Sequence, residues 1–224
     1  MKIKVCGNTD LNQLKELNDQ NIDYAGFIFY DQSPRFVSNK IDPQALKNMG
    51  LPIQKVGVFV NASVDEIMKK VDAYGLDVVQ LQGDETPAFC NQISDYLKVI
   101  KSFRINEKNA DIDRMVKEYD EVCDYYLFDK ASAGLYGGTG EKFRWSMLNQ
   151  STIGKPFFLS GGININDVDA LKKFNHPFFY GIDINSRFEK APGIKDLSLV
   201  KEFSDQLKLI HFSSSFEGEK KQTL

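Results

Sequence analysis

Apolar and polar positions along the chain follow two periods that take turns. Short apolar runs lie at Ile3 to Cys6, Tyr24 to Tyr30, Lys55 to Val60, Asp77 to Leu81, Leu97 to Phe103, Tyr125 to Phe128, Pro156 to Ser160 and Phe178 to Ile184. Runs of this length bounded by turn residues read as buried strands. Between them lie helical patterns, several with explicit start signals. Asp10-Leu11-Asn12-Gln13 resembles a capping box ahead of Leu11, Leu14 and Leu17, and Ser63-Val64-Asp65-Glu66 is another. Asp42-Pro43 and Thr86-Pro87 each supply an N-cap followed by a proline in the first turn. Further helices are expected at Ile112 to Tyr119, from near Phe143, from Asn164 to Asp167 through Leu171, and from about Leu197 to Leu209.

Eight strand-then-helix units in a row imply a parallel sheet with right-handed crossovers. With 224 residues, the chain fits one α/β domain of the closed (β/α)8 TIM-barrel type, a fold that starts at roughly 200 residues. The barrel is assigned to residues 1–210. Residues 211–224 are polar and rich in Ser and Lys, and are expected to fray. A doubly wound open sheet normally uses fewer strands, and no GxGxxG follows the first run.

Composition narrows the partners. Hydrophobic residues make up 42%, as in soluble globular proteins, and a net charge of −3 gives no general attraction to nucleic acid or anionic membranes. The apolar runs are too short to cross a bilayer, and the N-terminus lacks the apolar stretch of a signal peptide. Three scattered cysteines, Cys6, Cys90 and Cys123, suit a reducing compartment, so a cytoplasmic location is expected. Neither His176 nor His211 follows a strand, and no His/Asp/Glu cluster suggests a metal.

In such barrels chemistry collects at the C-terminal strand ends. Six of the eight ends carry polar or glycine features. Cys6 precedes Gly7, and Arg35 follows the second run in Ser33-Pro34-Arg35. Gln82 and Asp84 follow the fourth, and Asp129 ends the sixth. Gly161-Gly162 follows the seventh, and Asp183 ends the eighth before Asn185-Ser186-Arg187. Side chains alternate along a strand, so Lys4 and Cys6 share a face, taken as the barrel interior. A neighbouring ammonium is expected to lower the thiol's pKa from about 8.5 and favour a thiolate base. Arg35 offers a planar fork for a carboxylate. Gly161-Gly162, ahead of a helix N-terminus, is read as a phosphate seat. The glycine run Gly137-Gly138-Thr139-Gly140 is read as the hinge region of a lid over Asp129.

These segments, in this order, resemble the phosphoribosylanthranilate isomerase family of tryptophan biosynthesis. The matching residues are Lys4-Val5-Cys6-Gly7, Gly26-Phe27-Ile28-Phe29 with Ser33-Pro34-Arg35, Val56 to Asn61, Val79 to Glu85, Asp129 with Gly137 to Gly140, Ser160 to Ile163, Gly181-Ile182-Asp183 and Pro192 to Asp196. The resemblance implies an Amadori rearrangement of N-(5-phosphoribosyl)anthranilate without cofactor or metal. It implies Asp129 as the general acid that opens the ring and Cys6 as the general base. It implies Arg35 at the anthranilate carboxylate, Asp183 as an orienting group, and Gly161, Gly162, Asn185 and Ser186 around the phosphate. Gln82 stands where the family commonly has histidine, so a hydrogen-bonding but non-titrating role is expected there. Arg144 replaces the usual acid between Phe143 and Trp145. The resemblance leaves a monomer or a homodimer open. Competing readings are another sugar-phosphate barrel isomerase, or a non-catalytic barrel that binds phosphorylated ligands.

Overall fold

Strand pairing closes on itself. In a computed structural model describing residues 1–108, 111–130 and 142–208, β1 (Lys2–Val5) pairs with both β2 (Tyr24–Ile28) and β8 (Phe179–Ile184). Between these, β3 (Gln54–Phe59), β4 (Val78–Leu81), β5 (Lys98–Ile105), β6 (Tyr125–Lys130) and β7 (Phe157–Leu159) follow in chain order, and every pair is parallel. This is the expected (β/α)8 barrel.

The covering helices are α1 (Leu11–Asp19), α2 (Pro43–Lys47), α3 (Val64–Tyr74), α4 (Pro87–Ser94), α5 (Ile112–Val116), α6 (Val168–Lys173) and α7 (Leu197–Lys208). Their start signals act as read. Ser63 and Glu66 form a reciprocal capping box, while Asp42 and Thr86 cap helices with proline in the first turn. The Asp10 motif differs. Asp10 caps Asn12 and Gln13, but the Gln13 side chain turns away to hold the backbone of Lys195. Among the described residues between β6 and β7, a 3-10 helix, Trp145–Gln150, covers the sheet. The eighth βα loop contains an antiparallel hairpin absent from the sequence reading, β9 (Glu189–Ala191) with β10 (Ile194–Lys195).

The core has two parts. The larger lies between strands and helices. A separate cluster of Tyr24, Val56, Val78, Ile100, Leu127 and Phe158 plugs the barrel interior. Tyr24 and Tyr180 close its floor through a 2.8 Å hydroxyl contact. Above the plug the interior turns polar, with Lys4, Gln80, Ser102 and Asp183 all buried. Apolar filling below and buried polar groups above leave only the C-terminal rim able to do chemistry. Lys101 serves structure at that rim. Its ammonium bonds Glu85 at 3.0 Å and the Gly83 carbonyl at 2.8 Å, and Glu85 in turn accepts from the Asn61 N–H. That network ties three neighbouring loops together without entering the cavity.

Candidate active site

One cavity of about 270 Å³ opens at the C-terminal rim, at the small end of the roughly 300–1,000 Å³ typical of ligand pockets. Cys6, Arg35, Gln82, Asp129, Gly161, Gly162, Asp183, Asn185 and Ser186, drawn from six of the strand ends and the loops after them, all line it. Asp84 does not; it is exposed and paired with Arg104. Gly137, Gly138, Thr139 and Gly140 lie outside the described residues.

At the cavity floor, Lys4 and Cys6 share the interior face as the alternation predicted. Lys4 Nζ donates to Asp183 Oδ1 at 2.8 Å, and Ser160 Oγ reaches Asp183 Oδ2 at 3.4 Å. Burial works against the Lys4 ammonium, but the charges of Asp183 and Cys6 outweigh it and hold its pKa above the ordinary value. Gly26 makes the space. A Cβ there would stand 2.8 Å from Cys6 Sγ and 3.0 Å from Cys6 Cα.

The expected lowering of the Cys6 pKa is not found. Burial dominates and pushes the thiol up, while Lys4 and Lys195 pull the other way without prevailing. The ammonium is beside the thiol as expected, but the same enclosure that brings them together removes water from the thiolate.

Asp129, the penultimate residue of β6, is only 7% exposed, and burial raises its carboxyl to about 6. Asp183 adds to the rise, and the Lys130 N–H, Lys4 and Gln82 moderate it. The Lys130 N–H bonds Asp129 Oδ1 at 2.8 Å, which fixes the plane of the carboxyl. Gln80 donates to Gln82 Oε1 at 2.6 Å, and this orients Gln82 Nε2 toward Asp129 Oδ2 at 3.5 Å. An amide pair thus occupies the position where a titrating histidine was the alternative.

On the opposite wall, Gly161 and Gly162 have φ of +86° and +63°, a conformation cheap only for glycine. The helix behind them departs from expectation. It opens as a 3-10 turn, Ile165–Asp167, and the Asn164 side chain accepts from Asn166 N while Asp167 Oδ2 accepts from Asn164 N. Its first donors are spent on this cap, so an anion here depends on the glycine backbone rather than on the helix end. Arg35 also differs from a free fork. Its Nε and Nη2 grip Glu189 at 2.7–3.0 Å. Glu189 was not singled out in the sequence, and Lys195, Gln80 and Ser160 stood there only within matching segments, with no role given. Pro192-Gly193 was a readable signal for the hairpin that carries the first two.

With that geometry in view, relatives can be placed beside it. Residues 3–206 match the model of the N-(5'phosphoribosyl)anthranilate (PRA) isomerase family. The chain belongs to this family. It is 42% identical over 209 residues to the N-(5'-phosphoribosyl)anthranilate isomerase of Parabacteroides distasonis, covering 92% of this chain and 93% of that one. The crystal structure of phosphoribosyl anthranilate isomerase from Thermotoga maritima superposes with a TM-score of 0.80 at 29% identity, covering 93% and 98% of the two chains. A phosphoribosyl anthranilate isomerase solved in complex with reduced 1-(o-carboxyphenylamino)-1-deoxyribulose 5-phosphate aligns with a TM-score of 0.77 at 27% identity, again over 93% and 98%. Among the described residues no group of three or more His, Cys, Asp and Glu could hold a metal, and no helix is long and apolar enough to cross a membrane.

Proposed function

We infer that this chain is a phosphoribosylanthranilate isomerase, converting N-(5-phosphoribosyl)anthranilate to 1-(2-carboxyphenylamino)-1-deoxyribulose 5-phosphate in tryptophan biosynthesis. The observation that carries this reading is a raised carboxyl and a buried thiol facing one cavity, Asp129 and Cys6, in a chain of this family.

The anthranilate carboxylate meets Arg35, and the phosphate meets Gly161-Gly162 with Asn185 and Ser186. Asp129, protonated, gives its proton to the furanose oxygen. The C1′–O bond breaks, and the nitrogen lone pair completes a protonated Schiff base. A Cys6 thiolate then removes the C2′ proton, and those electrons quench the cationic nitrogen to give an enolamine, which tautomerises to the ketone. The two groups must work in opposite states, one protonated and one not, at a single pH. In the free site each is biased toward the other state at neutrality, since Asp129 titrates at about 6 and Cys6 above its ordinary 9.0. The cationic Schiff base corrects this for the base, because a positive charge beside the buried thiol favours thiolate. The ion pair with Lys4 fixes the Asp183 carboxylate in place to orient the sugar or ring. Gln82 orients the acid through a hydrogen bond and does not itself titrate.

No cofactor takes part. Each chain holds one whole set of these groups, so a monomer or a homodimer with independent sites acts in the cytoplasm. Growth of a tryptophan auxotroph lacking this isomerisation, on minimal medium with the gene supplied, tests the reading. No growth with soluble protein present contradicts it.

A further inference from the structure

The eighth loop carries two buried ionic side chains, Glu189 and Lys195, to which the reaction steps assign nothing. Glu189 accepts from Arg35 Nε at 3.0 Å to each oxygen, from Arg35 Nη2 at 2.7 Å, from Gly193 N at 3.0 Å and from Lys195 Nζ at 2.7 Å. The Glu189 and Lys195 side chains are only 3% and 0% exposed. Lys195 Nζ also donates to Asn185 Oδ1 at 2.9 Å. Gln13 clamps the Lys195 backbone on both sides, accepting its N–H at 2.8 Å and donating to its carbonyl at 3.1 Å. Gly7, at φ +73°, lets Arg35 lie close, since a Cβ there would stand 2.5 Å from Arg35 Cδ.

A guanidinium has five N–H donors in one plane. Glu189 takes the edge formed by Nε and Nη2. Arg35 Nη1 has no hydrogen bond among the described residues, and Arg35 lines the cavity. We propose that Glu189 and Lys195 are positioning residues that lock Arg35 by its inner edge, so that its Nη1–Nη2 edge meets the substrate carboxylate. Through Asn185, Lys195 also ties that carboxylate receiver to the phosphate loop. The proposal rests on the isomerase reading and adds how the carboxylate is recognised. Arg35 then bridges two carboxylates, one permanent and one from substrate, each held by a two-donor fork.

The test compares kcat/KM for N-(5-phosphoribosyl)anthranilate and for the aniline compound that lacks the carboxylate. Glu189→Gln keeps the shape and removes a negative charge. If the cluster acts by charge alone, the variant favours the carboxylate compound more than wild type does. Positioning has the opposite sign: the ratio of the two kcat/KM values falls about tenfold, mainly through KM for the carboxylate compound. An unchanged or increased ratio, or equal losses with both compounds, overturns the proposal while leaving wild-type turnover as support for the isomerase. Absence of wild-type turnover overturns both. A second measurement uses the unmodified protein with ¹⁵N-labelled arginine and reduced 1-(o-carboxyphenylamino)-1-deoxyribulose 5-phosphate. Arg35 Nε–H should keep its slow exchange and its resonance position when the ligand binds. Its collapse toward the position of a free arginine would mean that ligand displaces Glu189, contrary to the proposal.

Discussion

Replacing Asp129 with asparagine should stabilise the protein while disabling it. Burial holds this carboxyl at about 6 against an ordinary 3.8. A difference of roughly two pK units is worth about 3 kcal/mol at about 1.36 kcal/mol per unit. The folded state binds the proton more tightly than the unfolded one. Stability is therefore lost as pH rises from about 4 through 6, and the loss is complete above that window. Asparagine carries no charge and escapes the loss. Its oxygen can keep the Lys130 N–H, but its amide would face Gln82 Nε2, donor against donor. Rotating the Gln80 and Gln82 amides together solves this, because Gln80 Oε1 is buried with no partner and can accept from Gln82. That rearrangement trims the gain to about 2 kcal/mol. Urea unfolding of both proteins at pH 8 and pH 4 measures it. The variant should be more stable by about 2 kcal/mol at pH 8 and less stable by up to about 1 kcal/mol near pH 4, where the charge-burial gain fades and the rearrangement cost remains, with kcat down by about 10²–10⁴. A difference that does not change with pH, or a variant less stable at pH 8, would refute the argument that burial of the charge sets this pKa.

Three further outcomes follow from the same interior. Gly26→Ala places a methyl against Cys6 Sγ and backbone, so kcat should fall at least about tenfold and stability by about 1–3 kcal/mol, read by steady-state kinetics and urea titration. Lys4→Met leaves the Asp183 carboxylate buried without its ion partner, which should destabilise by about 3–5 kcal/mol near neutral pH, with part of the loss recovered in Lys4→Met/Asp183→Asn. The pH profile of kcat/KM should be flat from about 6 to above 9 and fall on either side, since both limbs belong to the Asp129 and Cys6 pair; a limb near 7 would point to a different group.

The architecture was legible because its signals are local. Alternation between strand and helix periods at Ile3–Cys6 and Leu11–Leu17, and caps such as Ser63 with Glu66, each need only a few neighbouring residues. Asp129, Cys6 and Arg35 were legible as rim groups through their strand ends, and the Lys4/Cys6 face through simple parity. What stayed hidden depends on distance in the chain. Lys4 and Asp183 meet across the barrel seam between β1 and β8, and Arg35 meets Glu189 across loops far apart in sequence. The sign of the Cys6 shift was missed for a related reason. Parity places the cation beside the thiol, but only the closed barrel shows how much water is lost. At Gly161-Gly162 the expected helix N-terminus proved to be spent on its own Asn164 cap, a competition that a sequence of cap-forming residues does not resolve.

The central claim is that this cavity rearranges phosphoribosylanthranilate with Asp129 and Cys6 as acid and base. The most direct measurement is the loss of substrate fluorescence under purified wild-type protein, Asp129→Asn and Cys6→Ser. Wild type should turn over, and each variant should lose at least about 10² in kcat with modest change in KM. No wild-type turnover, or near-normal kcat in either variant, would contradict the account.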